Sequence, residues 1–131
     1  SGKAFDLHEG LSKTGLTLIS FWATWCRSCR GELQDLATLA QNHAREDLEI
    51  MGVNVDPPDE SRTRAFLSEL GVAYPSFHIS KKELSRVMDS LQGSLPHALL
   101  VDKDKTLVAV FEGWSSEHHR RLATFLSKES P

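Results

Sequence analysis

Both cysteines of this chain fall inside one pentapeptide, Trp25-Cys26-Arg27-Ser28-Cys29. Two thiols separated by two residues can serve as half of a metal site, as a staple across a short loop, or as a pair that trades a disulfide with another molecule. The first use asks for partners that the sequence does not offer. Structural zinc sites take about four ligands, commonly as two spaced pairs, and the chain has no second cysteine pair. Its six histidines add no spaced pair, because His118 and His119 are neighbours and would point different ways from a helix. We assign no metal and no cofactor. A staple is a weak use as well, since closing so short a loop removes little entropy from the unfolded chain.

Disulfide exchange uses what the other two readings leave idle, the position of the pair. The run Leu16 to Ala23, "LTLISFWA", is rich in branched and aromatic residues and reads as a buried strand leading straight into the motif. Beyond it Leu33, Leu36, Ala37, Ala40 and Ala44 recur at helical spacing, so a helix is expected from near Cys26 to about His43 or Arg45. The cysteines then occupy its first turn, where unpaired N–H groups and the positive end of the helix dipole stabilise a thiolate. On this ground Cys26 is the exposed nucleophile. Cys29, one turn on along the same face, is placed to attack the mixed disulfide and release the partner.

The elements around this junction alternate as in an α/β domain. "LEIMGVNV" is a second strand closed by "DPPD", after which Asp59 caps a helix that turns Phe66, Leu67 and Leu70 inward and ends at Gly71. A short strand "YPSFHI", a helix "KKELSRVMDSLQ", and a hairpin of "PHALLVD" and "TLVAVFEG" around "DKDK" follow. A last helix from Ser115 or Ser116 to about Ser127 buries Leu122 and Phe125 or Leu126, with His118 and His119 toward water or at its flank. By alternation along the first strand Trp25 lies at the surface beside Cys26. His97 reads as a packed or solvated strand residue, although a histidine beside the cysteines has a pKa suited to proton transfer.

Composition narrows the setting. A chain of 131 residues suits one domain, and 40% apolar with 25% charged residues is ordinary for a globular protein. The net charge of -3, with both signs mixed along the chain, offers no basic face for nucleic acid. No apolar run approaches the roughly 20 residues needed to span a bilayer. The opening "SGKAFDL" has neither a basic nor an apolar region of the kind a leader needs, so any leader or anchor is expected to lie outside this sequence.

The stretch "FWATWCRSCRGEL", followed by "GVNVD" and by "SLPHALLVDKDKTLVAVFEG", resembles the thioredoxin-fold proteins of the TlpA/ResA/DsbE group across nearly the whole chain. The first part matches the group's F-W-A-x-W-C-x-x-C-R-x-E signature. The resemblance implies an α/β thioredoxin fold over residues 1–131: a central mixed sheet flanked by helices, an extra N-terminal strand, and a central helix-and-strand insert. It implies that Pro96 is a cis-proline facing the cysteines and that Leu95 offers backbone groups to a partner's extended chain. Trp25, Arg27 and Ser28 complete the partner-binding surface on this reading. Glu32, three residues after Cys29, matches the carboxylate that the group keeps beside its cysteines; a helix dipole attracting an acid to its first turn would explain it equally well. The expected partners are proteins with thiols or disulfides, together with a membrane or soluble thiol electron donor. A monomer is expected, in the periplasm or another extracytoplasmic space, with a membrane anchor if one precedes this segment.

Departures from the group's pattern qualify this. Ser28 and Gln34 stand where the group usually has prolines. Ser20 stands where thioredoxins carry a buried Asp, and a hydroxyl is no base at neutral pH, so the proton of Cys29 falls to Glu32. Arg27 stabilises a thiolate and favours an oxidant, whereas Glu32 raises thiol pKa values and favours a reductant. The group resemblance points to reductants that serve cytochrome c maturation or metal-site assembly. A disulfide-introducing oxidant and a non-catalytic binding module are the alternatives. A peroxidase is disfavoured, because the Pro-x-x-x-Thr-x-x-Cys pattern is absent around Cys26.

Overall fold

The computed structural model of the protein describes residues 15–42, 48–56, 59–79, 81–90, 95–104 and 106–127. The first strand, β1 (Leu16–Trp22), leads through a short loop into α1 (Arg27–Asn42). There follow β2 (Leu48–Asn54), α2 (Glu60–Glu69), β3 (Ser76–His78), α3 (Lys81–Ser90), β4 (His97–Val101), β5 (Leu107–Glu112) and α4 (Ser116–Ser127). The strands form one five-stranded sheet in the order β3-β2-β1-β4-β5. β2 lies parallel to β1, and β3 lies parallel to β2. β4 and β5 run antiparallel to their neighbours, so the sheet is mixed, as expected.

The strand that carries the cysteine motif is therefore the middle one, and its composition explains why. A strand paired on both sides and covered on both faces is apolar throughout. In β1 every residue after Leu16 is buried, and Ile19 and Phe21 alternate with Leu18, Ser20 and Trp22 across the sheet. Leu18 packs with Leu36 of α1 and Leu122 of α4. Ile19 and Phe21 share a second cluster with Met51, Val53 and Val101.

α2 and β3 form the insert between β2 and α3. Asp59 caps α2 as read from the sequence, its side chain accepting the Arg62 N–H at 3.1 Å. The helix ends on Leu70, and Gly71 follows at φ 75°, a left-handed conformation that glycine adopts without a Cβ penalty. Phe66 stacks on Trp22 with ring centroids 5.4 Å apart, which joins the insert to the end of β1. The hairpin turn is held by Asp102, whose side chain accepts from the N–H groups of Asp104 and Thr106 at 2.9 Å.

Several boundaries differ from the sequence reading. β1 stops at Trp22, one residue early, because the chain turns there: the Cys26 N–H reaches the Ala23 carbonyl at 3.2 Å. The last helix begins at Ser116 with Ser115 as its cap. His118 and His119 lie at its flank, with their rings against Trp114. Leu122 is fully buried and Phe125 packs against the same cluster. The expected N-terminal strand, the end of α1 near His43, the end of α3 near Gln92 and the side chain of Leu126 fall outside the described residues.

One row across the sheet is made almost entirely of small residues. From β3 to β5, Ser76, Gly52, Ser20, Ala98 and Phe111 stand side by side. Gly52 is glycine because a Cβ there would lie 2.8 Å from the Ser76 Oγ and 2.9 Å from the Trp22 Nε1, which hydrogen-bond each other at 3.1 Å. Gly52→Ala is expected to lower stability by about 1–3 kcal/mol, the usual range for forcing atoms into a packed site. Gly31→Ala, on the exposed side of α1 with nothing within 4 Å of the added Cβ, should instead stabilise by up to about 1 kcal/mol. Urea unfolding of both variants measures the contrast, and a Gly52→Ala protein as stable as its parent would refute the crowding.

Candidate active site

The chain passes from strand to helix between Trp22 and Arg27, and several backbone groups that leave the β ladder find other partners. The Trp22 carbonyl accepts the Val55 N–H at 2.9 Å. The Thr24 N–H donates to the Asp56 Oδ2 at 2.9 Å, and Asn54 holds that carboxylate through its side-chain amide at 3.0 Å. Sequence reasoning missed Asn54 and Asp56; the signal that could have found them is an Asn-x-Asp placed directly after a strand neighbouring the motif strand. Such residues bond local backbone and fasten turns.

Cys26 is the residue just before α1, and its Sγ accepts the Cys29 N–H at 3.2 Å. This is the geometry of a helix N-cap with sulfur in place of the usual oxygen. The same donor that caps the helix would stabilise a Cys26 thiolate. Cys26 and Cys29 are joined as a disulfide. The sequence reading placed Cys26 in the open; it is nearly buried, with 7% of its surface accessible against 0% for Cys29. The reason is packing, since Trp22, Ala23 and Leu33 enclose both cysteines in one cluster. The order of exposure remains, with Cys26 keeping some accessible surface and Cys29 none.

Around this sulfur the exposed residues are those expected to meet a partner. Trp25 is 64% accessible, and Arg27 and Ser28 are exposed. Arg30, one turn on, is engaged: it bonds Glu69 of α2 at 3.0 Å and lies over the Phe66 ring at 5.1 Å. Trp22, by contrast, is wholly buried. The Leu95–Pro96 peptide bond is cis. β4 starts at His97 opposite Phe21, so Leu95 and Pro96 enter the sheet at the end of β1 that leads into the cysteines. Leu95 packs against the cluster that contains both thiols, and the Pro96 carbonyl accepts the Gly113 N–H at 2.8 Å. His97 is buried and pairs in register with Phe21, which puts its side chain on the opposite face from Ser20.

Glu32 overturns one of the two readings made of it. It is not a surface acid attracted by the helix dipole: it lies past the first turn of α1 and is 0% exposed. Ser20 donates its hydroxyl to the Glu32 Oε1, while the Oε2 is buried without a hydrogen-bond partner. The strand position that thioredoxins give to an Asp thus still faces a carboxyl, delivered from the helix. Burial pushes Glu32 up to about 8, partly offset by the Ser20 hydrogen bond, which favours the charged form. The Tyr74 hydroxyl is raised above the ordinary phenol range, by burial first and by the Glu32 charge second. Its oxygen, too, is buried and unpartnered.

Comparison with known proteins agrees with this geometry. The model of the AhpC/TSA family matches residues 1–110. The chain is 26% identical over 131 residues to the thiol-disulfide oxidoreductase ResA of Bacillus thuringiensis, covering 99% of this chain and 71% of that protein. It is 43% identical over 70 residues to the thiol:disulfide interchange protein HelX of Rhodobacter capsulatus, which is 53% of this chain and 34% of HelX. This chain therefore spans about a third of HelX in that match. Among solved structures, the thioredoxin domain of a Bacteroides vulgatus thiol-disulfide oxidoreductase superposes with a TM-score of 0.75 at 22% identity, over 92% of this chain and 84% of that one. StoA from Bacillus subtilis gives 0.71 at 16% identity, over 89% and 85%. At these identities the superpositions establish the thioredoxin fold.

The buried carboxyl makes stability depend on pH in a stated direction. A group whose folded pKa is raised contributes stability that is complete below its unfolded value, 4.5, and declines as pH rises through about 8. Glu32→Gln is neutral throughout. In urea unfolding of the disulfide form it should match the parent at about pH 5 and exceed it at about pH 9. Parallel pH–stability curves would contradict the burial of an ionisable group at this position.

Proposed function

The chain belongs to the AhpC/TSA family, and from that premise we propose that it is a thiol–disulfide oxidoreductase that reduces or exchanges disulfides of partner proteins outside the cytoplasm. The observation that carries the reading is the asymmetry of the pair. Cys26 caps α1 and keeps some access, while Cys29 is closed off one turn below, on the same helix as a buried carboxyl. Neither a staple nor a binding loop requires that arrangement.

The exchange conserves protons and electrons at each step. In the dithiol form the Cys26 thiolate attacks one sulfur of a partner disulfide, and the other partner sulfur leaves as a thiolate. Glu32, as carboxylate, takes the proton of the Cys29 thiol. The Cys29 thiolate then attacks the Cys26 Sγ, the second partner sulfur leaves, and the Cys26–Cys29 disulfide forms. A dithiol donor reverses the sequence: it attacks Cys26, Cys29 departs as a thiolate, and Glu32 returns the proton. Since burial holds Glu32 at about 8, the disulfide form carries that proton at neutral pH. Trp25, Arg27 and Ser28 on one side and the Leu95–Pro96 segment on the other line the approach of the partner chain, which would lie as an added extended strand.

Two features bear on direction. A buried carboxylate opposes a second negative charge on Cys29 and so disfavours the dithiolate, which makes the pair more reducing. The N–H donor at Cys26 and the exposed Arg27 act the other way. We assign the reducing direction, and the equilibrium of the pair against glutathione decides it: an oxidised pair in a reducing buffer supports the reductant. Among the described residues no helix is long and apolar enough to cross a membrane.

The assignment is tested by trapping. Cys29→Ser should accumulate a mixed disulfide through Cys26 with a partner protein and lose multiple-turnover reduction of insulin, whereas the parent reduces insulin with dithiothreitol. If Cys26→Ser is the variant that traps, the roles are reversed. If the parent itself fails to reduce insulin, the domain is a binding module and not an enzyme.

A further inference from the structure

The carboxyl of Glu32 has two oxygens in different surroundings, and the sheet beneath it explains how they differ. Ser20 stands in β1 between Gly52 of β2 and Ala98 of β4. Neither neighbour has a polar side chain. The next residue outward on one side, Ser76, already accepts the Trp22 Nε1–H, and on the other side it is Phe111. In this row it is the Ser20 hydroxyl that bonds the Glu32 carboxyl, donating to Oε1. Both residues are 0% exposed. Oε2 has no hydrogen-bond partner among the described residues.

We propose that Ser20 is a positioning residue for Glu32: its hydroxyl fixes Oε1 as a permanent acceptor and leaves Oε2 as the oxygen that exchanges the proton with Cys29. The inference rests on the reading of Glu32 as the proton carrier. Its physical basis is the inventory of donors. A serine hydroxyl has one proton, and a protonated carboxyl has one O–H and one carbonyl oxygen that still accepts. With Ser20 donating to Oε1 in both states, the carboxyl proton resides on Oε2. Reversing the bond would leave the Ser20 proton without an acceptor in a fully buried place, which costs more than the bond returns. One hydrogen bond therefore orients the carboxyl, distinguishes its oxygens, and eases its ionisation against the cost of burial. A thioredoxin-type Asp at position 20 could not do this, since a second acid there would repel the Glu32 charge.

The other titratable groups near Glu32 do not take over this role. Tyr74, from the segment before β3, keeps its proton across the working range. Asp35, one turn along α1, is occupied by the Trp114 Nε1–H at 2.7 Å and by His119 of α4 at 3.4 Å. His97 of β4 lies on the far face. Cys29 is the exchange partner itself.

The experiment uses Ellman's reagent, which first forms a mixed disulfide with Cys26 and then releases its second thiolate when Cys29 resolves it. The rate of that second release is followed against pH for the parent and for Ser20→Ala, Ser20→Thr, Ser20→Val and Glu32→Gln. Loss of the donor should move the apparent pKa of resolution upward and slow the neutral-pH rate, by about tenfold for each unit of displacement. Ser20→Thr, which keeps the hydroxyl, should restore the parent profile, and Ser20→Val, its equal in size, should behave as Ser20→Ala does. The Thr and Val pair keeps the test valid if Ala leaves a destabilising gap. Infrared titration of the protonated carboxyl band should follow the same order. Parent-like profiles for Ser20→Ala and Ser20→Val beside an altered Glu32→Gln overturn the role of Ser20 alone. Parent-like profiles for all variants, Glu32→Gln included, overturn the proton-carrier reading as well.

Discussion

A strand cannot become a helix without releasing backbone groups from one hydrogen-bond pattern before the next has closed, and the site is built at that gap. Between Trp22 and Arg27 the ladder bonds end and the helical bonds have not begun. Val55, Asp56 and Asn54 secure the departing end, and the Cys26 sulfur satisfies the Cys29 N–H, one of the free donors in the first turn of the arriving helix. On the proposed reading the reactive atom is thus also a structural cap. Any donor that stabilises the fold at this point stabilises the thiolate too, so fold and reactivity share one interaction.

The second constraint is the cost of enclosing a carboxyl. An unpaired buried carboxylate is expensive, and proteins commonly respond by keeping such a group protonated. Here the sheet supplies one donor, Ser20, and surrounds it with Gly52 and Ala98, residues too small to crowd the head group and too apolar to solvate it. The result is neither a salt bridge nor a neutral amide but a group poised to gain and lose a proton close to neutral pH. A chemistry that shuttles a proton to and from a sheltered thiol needs a group in that range.

The insert contributes stiffness where the motif lacks proline. Ser28 and Gln34 leave the first turns of α1 without the proline rings that the motif's resemblance leads one to expect. In their place Arg30 reaches across to Glu69 and Phe66 of α2, and Phe66 stacks on Trp22 at the end of β1. The exposed ion pair by itself contributes little, but joined to the stacked rings it ties α1, α2 and β1 together next to the cysteines.

Much of this was legible in the sequence, and the reasons differ by residue. The α/β order, the burial of β1, the Asp59 cap, the Gly71 stop and the helix start at the cysteines follow from local pattern, because period and capping are properties of neighbouring residues. Trp25 was read as exposed by strand alternation and is exposed, but β1 ends at Trp22 and Trp25 lies in the turn that follows. The likeness of "FWATWCRSCRGEL" to a known group led to the cis bond at Pro96, which no local propensity signals. What required the tertiary structure were the contacts between distant segments. Glu32 falls at helical spacing from Cys29 and Leu36, on the inward stripe, but spacing does not decide whether an acid there is covered; its burial follows from which face α1 lays on β1. Ser20 could be seen to be no base, but its bond to Glu32 joins a strand to a helix twelve residues on. The near closure of Cys26, the Asp56 latch on Thr24 and the Arg30 bridge to α2 likewise depend on packing, because one chain segment carries no record of the surface that will cover it.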